Sequence, residues 1–96
     1  MFEREVDVMT RVREAIALWL DDDGTPRRLV WGGRRYRVSD RPTRLWDYLD
    51  ERITHPVASP PLGWRFQGSD DDRNTRVFDV IFDTERGEWM LVGTYL

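Results

Sequence analysis

The chain has 96 residues, a net charge of −3 and 40% hydrophobic residues, so it is one domain in length and too apolar for a disordered protein. It contains no cysteine, which excludes disulfides, zinc–thiolate sites and thiol nucleophiles. Charged residues within the first twelve positions exclude a signal peptide or membrane span there. We therefore expect a single domain over residues 1–96, located in the cytoplasm and without a membrane partner.

The first half of the chain predicts a three-stranded meander over residues 14–39. Residues 14–20 alternate as a strand does, and the run Asp-Asp-Asp-Gly-Thr-Pro after them is a dense turn signal. Two further strands, residues 27–31 and 34–38, flank the dipeptide Gly32-Gly33. This dipeptide is typical of a tight hairpin turn, because both glycines can adopt positive φ.

Three segments outside the meander are predicted from weaker patterns. Residues 2–12 fit helical spacing and strand alternation equally well, and we favour a strand. Residues 42–53 predict the one helix, since Pro42 suits a first turn and apolar residues then recur at helical spacing. A proline-rich loop follows, and residues 64–67 predict a short strand.

The end of the chain predicts a hairpin of residues 75–83 and 88–95 around a Thr-Glu-Arg-Gly turn. Apolar residues occupy both faces of these strands, which indicates central or barrel strands. Small domains with many short strands close on themselves to hide their edges. We therefore predict a mainly β protein, a small SH3-like or OB-like barrel with one short helix, and α+β is the alternative fold.

Catalytic and cofactor chemistry have little support in the residues. His55 is the only histidine and lies in the proline-rich loop, no serine lies in a Gly-x-Ser-x-Gly turn, and a P-loop is excluded because the chain has no lysine. A calcium loop starting at Asp21 needs a glutamate where Gly32 stands, so the two aspartate triplets are interpreted as turns. The sequence predicts no enzyme, no metal site and no cofactor.

A basic segment is the most informative feature of the sequence. Residues 27–44 hold seven arginines against Asp40 alone, a balance of +6, whereas the other residues hold eight arginines against seventeen acidic residues, a balance of −9. Guanidinium groups bind phosphates and exposed rings stack on bases, so arginines interleaved with aromatic residues are typical of single-stranded nucleic-acid binding. The candidate binding residues are Arg28, Arg34, Arg35, Arg37, Trp31 and Trp46.

Two other interpretations of the basic segment stay open. In the first, its arginines pair with the acidic remainder of the domain, and its rings enter the core. In the second, the segment docks onto an acidic protein partner with the rings as anchors. Alternation along the third strand places Tyr36 and Val38 on the core face and leaves Arg35 and Arg37 outside.

The run from Trp31 to Val38, Trp-Gly-Gly-Arg-Arg-Tyr-Arg-Val, resembles the Trp-x-Gly-Arg-Arg-Tyr-x-Val hallmark of a family of small, functionally uncharacterised bacterial domains. In that family the hallmark follows a strand and an Asp/Gly-rich turn, as residues 16–26 do here, and the last strand carries a Trp-x-Leu element similar to residues 89–91. Residues 39–74 depart from the family pattern. Some members resemble a C-terminal appendage of Y-family-polymerase-like mutagenesis proteins, which implies a β-rich accessory domain in DNA transactions.

The sequence therefore predicts a non-enzymatic interaction module whose basic hairpin contacts nucleic acid or a DNA-repair protein. The alternative is a structural or protein-docking domain, including a homodimer, with no nucleic-acid contact. The resemblance carries over no catalytic residue.

Overall fold

Seven strands make up most of the described chain. The structure is a computed structural model and describes residues 10–45 and 62–95. The strands are β1 (Thr10–Leu20), β2 (Pro26–Trp31), β3 (Arg34–Val38), β4 (Thr43–Arg44), β5 (Gly63–Ser69), β6 (Thr75–Asp83) and β7 (Glu88–Tyr95). All pairings between these strands are antiparallel.

The strands form one sheet that closes into a barrel. Their order is β3-β2-β1-β7-β6-β5-β4, and an additional pairing of β3 with β5 closes six of them, all but β4, into a ring. Closure places Arg37 opposite Ser69 and Val38 opposite Gly68, while β4 pairs with the start of β5. A closed barrel leaves few free strand edges, and the predicted small, mainly β barrel is confirmed.

The predicted meander and the predicted C-terminal hairpin are both present. β1 pairs with β2 and β2 with β3, and Gly32 and Gly33 make the second turn with φ of 61° and 76°. These positive values suit a tight hairpin whose twist matches that of its strands. β6 and β7 span the residues predicted for them, and the short strand predicted over residues 64–67 extends over the whole of β5.

The prediction of a helix beginning at Pro42 is wrong at its start. Thr43 and Arg44 form β4, where they lie opposite Arg65 and Trp64, so their backbone groups pair with a strand distant in sequence. None of the described residues forms an α-helix, and none forms a helix long and apolar enough to cross a membrane. Residues 46–53 of the predicted helix lie outside the described residues, as do residues 2–9 of the strand predicted over residues 2–12.

Aromatic side chains fill the interior of the barrel. The buried core consists of Leu29, Tyr36, Trp64, Phe66, Phe78, Val80 and Leu91. Phe78 is fully buried, and its ring centroid lies 4.8 Å from that of Tyr36 and 5.7 Å from that of Phe66. A Cβ atom at Gly68 would stand 3.0 Å from the Phe78 ring, so glycine is what lets this strand approach the ring. This core fixes which side chains of β2 and β3 face solvent.

Candidate nucleic-acid interface

Three arginines share the outer face of the β2–β3 hairpin. Arg28 lies directly opposite Arg37, and Arg35 lies two residues before Arg37 on the same strand. Side chains alternate along a strand, and Tyr36, between the two arginines, is buried with 4% exposure. The core position of Tyr36 therefore holds the side chains of Arg28, Arg35 and Arg37 outside, where all three are exposed.

The guanidinium groups of these three arginines have no carboxylate partner within 4.0 Å among residues 10–45 and 62–95. Like charges placed directly opposite each other on neighbouring strands are destabilising, and Arg28 and Arg37 are such a pair. By contrast, Arg65 donates two hydrogen bonds, of 2.6 and 2.8 Å, to the buried Asp79 carboxylate. The outer face of the hairpin thus carries unneutralised positive charge in a chain with an acidic surplus.

A groove runs along β3 beneath these arginines. Its central part has a volume of ≈ 440 Å³ and is lined by Arg28, Arg35 and Arg37. A second part of ≈ 270 Å³ shares Arg35 and continues to Arg34, and a third of ≈ 320 Å³ shares Arg37 and continues to Arg27. Together they follow the strand, whose five residues span roughly 16 Å. The groove is therefore a track that suits an extended ligand rather than a closed pocket for a small molecule.

Arg34, although next to Arg35 in the chain, lies in a different environment. Its Nη1 atom donates to Asp70 Oδ2 at 3.0 Å and lies 3.9 Å from Asp72 Oδ2. The neighbouring strand residue Arg35 has no such partner. The interpretation that the arginines pair with the acidic remainder of the domain thus describes Arg34, while the three arginines on the outer face remain unpaired.

The two candidate tryptophans do not join the outer face. Trp31 is partly buried against the core, its ring centroid lies 6.0 Å from that of Phe78, and its Nε1 donates to Glu14 Oε1 at 2.9 Å. The guanidinium carbon of Arg76 stands 5.4 Å from the Trp31 ring centroid. Trp46 lies outside the described residues. The aromatic interleaving seen in the sequence therefore does not carry over to the arginine face through Trp31.

Trp19 is the aromatic residue that sequence reasoning missed. It lies on β1 opposite Arg28, so Trp19, Arg28 and Arg37 form one row across three strands. Its side chain is 47% exposed, the largest exposure of any large hydrophobic residue in the described chain. The signal was present in the sequence, because alternation along β1 places Trp19 on the face opposite the inward-facing Ile16 and Leu18.

An aspartate turn forms the opposite side of the groove. Asp70 accepts hydrogen bonds from the backbone N–H groups of Asp72 and Asn74 at 2.9 and 2.8 Å and a further one from Arg34. Burial alone would raise the pKa of Asp70, but these bonds outweigh it and hold the pKa below its ordinary value. Asp70 therefore stays ionised and holds the turn, whereas the adjacent Asp71 is exposed and has no hydrogen bond or ion pair within the described chain.

The described residues include no group of three or more His, Cys, Asp or Glu side chains placed to hold a metal ion. No protein-family model matches the chain, and neither the curated proteins nor the solved structures contain a match. What the arrangement offers chemically is a basic track along β3, an acidic turn along its side, and one exposed ring on β1 in the same cross-strand row as Arg28 and Arg37.

Proposed function

We propose that this chain is a non-enzymatic module that binds single-stranded nucleic acid across the outer face of β1, β2 and β3. One observation carries the proposal. Arg28, Arg35 and Arg37 line one groove and have no carboxylate partner among the described residues, in a chain where acidic residues outnumber arginines 18 to 15.

The spacing of these arginines suits a phosphate backbone. Arg35 and Arg37 are two residues apart on one strand, which separates their Cα atoms by about 6.6 Å, and Arg28 is the cross-strand neighbour of Arg37 at about 5 Å. A guanidinium group binds phosphate through two parallel N–H bonds, and Arg is favoured over Lys for this geometry. Consecutive phosphates of an extended strand can therefore meet different arginines along the track.

The exposed ring of Trp19 supports a single strand over a duplex. A base–aromatic stack contributes roughly 1–3 kcal/mol, and it requires a base whose face is free. In a duplex the base faces are already stacked on one another, so the ring gains contact only with an unpaired strand. Ala17 and Val30 lie opposite each other on the same face, two residues from Trp19 and Arg28, and add a small apolar surface beside the ring.

The natural ligand is proposed to be DNA, with the chain acting as an accessory domain in DNA transactions. The support is the hallmark of residues 31–38, which resembles that of appendages on mutagenesis proteins. In this chain the hallmark coincides with the β2–β3 hairpin that carries Arg35 and Arg37.

A protein partner is the second candidate function, because two large apolar side chains lie at the end of β1. Trp19 is 47% exposed and Leu20 is 39% exposed. An acidic protein, a DNA-repair protein or a second copy of the chain would cover them, with the Trp19 ring as an anchor. This function predicts no response to oligonucleotides and a specific protein complex or a mass that rises with concentration.

Fluorescence anisotropy with labelled single-stranded and double-stranded oligonucleotides of equal length tests the proposal. We expect the wild type to bind the single strand more tightly, and an Arg35→Gln/Arg37→Gln variant to lose most of that affinity. The matched control is Arg11→Gln/Arg86→Gln, which removes the same charge from exposed arginines outside the groove. An absence of binding at low salt, or an equal loss in both variants, would contradict the groove as the binding site.

A further inference from the structure

Asp71 and Arg35 line the same groove, Arg35 from β3 and Asp71 from the turn that follows β5. Both line its central part and its neighbouring part, yet they form no ion pair within 4.0 Å of each other. The groove thus has a free guanidinium on the β3 side and a free carboxylate on the side of the aspartate turn.

The turn itself does not require the carboxylate of Asp71. Asp70 makes the bonds that shape this turn, to the backbone of residues 72 and 74 and to Arg34. A carboxylate beside a phosphate-binding track weakens phosphate binding by like-charge repulsion, so it contributes nothing to affinity for the backbone. It can contribute through a base, because an ionised carboxylate only accepts hydrogen bonds and base edges carry donors.

Guanine is the base whose edges match both sides of the groove. Its N1–H and N2–H groups are adjacent donors that a carboxylate accepts together, and its O6 and N7 atoms accept the two-pronged guanidinium of an arginine. Thymine and uracil place carbonyl oxygens on both sides of their one ring N–H, which repel a carboxylate. Cytosine and adenine each place their amino group beside a ring nitrogen that accepts rather than donates.

We infer that the groove prefers guanine within a single strand, with Asp71 contacting the N1–H and N2–H groups and Arg35 contacting O6 and N7. The inference rests on the proposed function and adds base specificity to it. Trp19 and the other arginines hold the strand regardless of sequence, whereas this pair selects the base.

The test uses oligothymidylates that carry one substituted base at a central position. We expect guanine to bind about tenfold more tightly than the all-thymine strand, the effect of one good bidentate contact. Inosine lacks the N2 amino group and reports on the Asp71 contact. The analogue 7-deazaguanine lacks N7 and reports on the Arg35 contact. We expect each to lose part of the tenfold preference.

The decisive variant is Asp71→Asn, with Asp22→Asn as the control because Asp22 is an exposed aspartate of another turn outside the groove. We expect Asp71→Asn to bind guanine and inosine strands equally while still distinguishing 7-deazaguanine, and the control to behave as the wild type. Melting temperatures of both variants check that the fold is intact.

Each other outcome has a defined meaning. If Asp71→Asn strengthens binding to all strands alike, the carboxylate acts only by repulsion and the inference is wrong. Equal affinity of the wild type for all strands also overturns the inference but leaves the proposed function intact. If no strand binds, both the proposed function and the inference fail.

Discussion

The salt dependence of single-strand binding measures how many arginines contact phosphates. For single strands, the logarithm of the association constant falls with the logarithm of salt concentration by a slope of about −0.7 per phosphate neutralised. Arg28, Arg35 and Arg37 are the unpaired arginines that line the groove. On an oligothymidylate, which has no guanine to engage Arg35, three phosphate contacts give a slope of about −2. Raising salt fourfold, from about 50 to about 200 mM, should then weaken binding roughly 20-fold.

Removing one of these arginines should make the slope less steep by about 0.7, the contribution of one phosphate contact. With Arg37→Gln the slope should change from about −2 to about −1.4, so the same fourfold increase in salt weakens binding only about 7-fold. Anisotropy titrations at several salt concentrations measure both slopes, and Arg86→Gln, remote from the groove, should leave the slope unchanged. A slope that Arg37→Gln does not alter would refute the reasoning, since phosphate would then be bound elsewhere.

Three further predictions concern the ring, the core and the aspartate turn. Trp19→Ala should weaken single-strand binding roughly 5- to 150-fold, the effect of one lost base stack, with little change in melting temperature because the ring is half exposed; an unchanged affinity would remove Trp19 from the site. Phe78→Ala should lower the free energy of unfolding by about 3–5 kcal/mol in urea titrations, because it empties a fully buried position among three other rings. A loss below about 1 kcal/mol would contradict that packing. The pKa of Asp70 is lowered in the folded chain, so its ionised form stabilises the fold at neutral pH, and that contribution disappears as pH falls through the lowered pKa. Asp70→Asn should therefore reduce the melting temperature at neutral pH but make little difference in strong acid, and an equal reduction at both pH values would argue against the charge of Asp70 as the cause.

Local patterns were enough to predict the meander and the C-terminal hairpin. Each depends on alternation within a strand and on a short turn, and Gly32 and Gly33 have the positive φ values that their sequence indicates. The same alternation correctly left Arg35 and Arg37 outside and Tyr36 inside, because a strand has only two faces.

Contacts distant in sequence decided the features that could not be predicted. Arg34 is neutralised by Asp70, thirty-six residues away, and nothing near Arg34 in the chain indicates this pairing. Residues 43–44 pair with β5 rather than begin a helix, because a strand beyond the proline-rich segment provides backbone partners. The partial burial of Trp31 likewise depends on its contact with Phe78, which is distant in sequence.

The place where the barrel closes has a dynamic consequence. In the described chain β3 pairs with β5 at Arg37–Ser69 and Val38–Gly68, with one further backbone bond from Ser39 N–H to Gln67 O, whereas β5 and β6 are paired along the whole of β5. Backbone amides at this junction should therefore exchange with solvent deuterium through local opening, well before the amides between β5 and β6. The central groove is lined from both strands, by Arg37 on one side and Ser69 on the other. A ligand bound across both strands would hold the barrel closed, and slower exchange at this junction would report its presence without any label on the ligand.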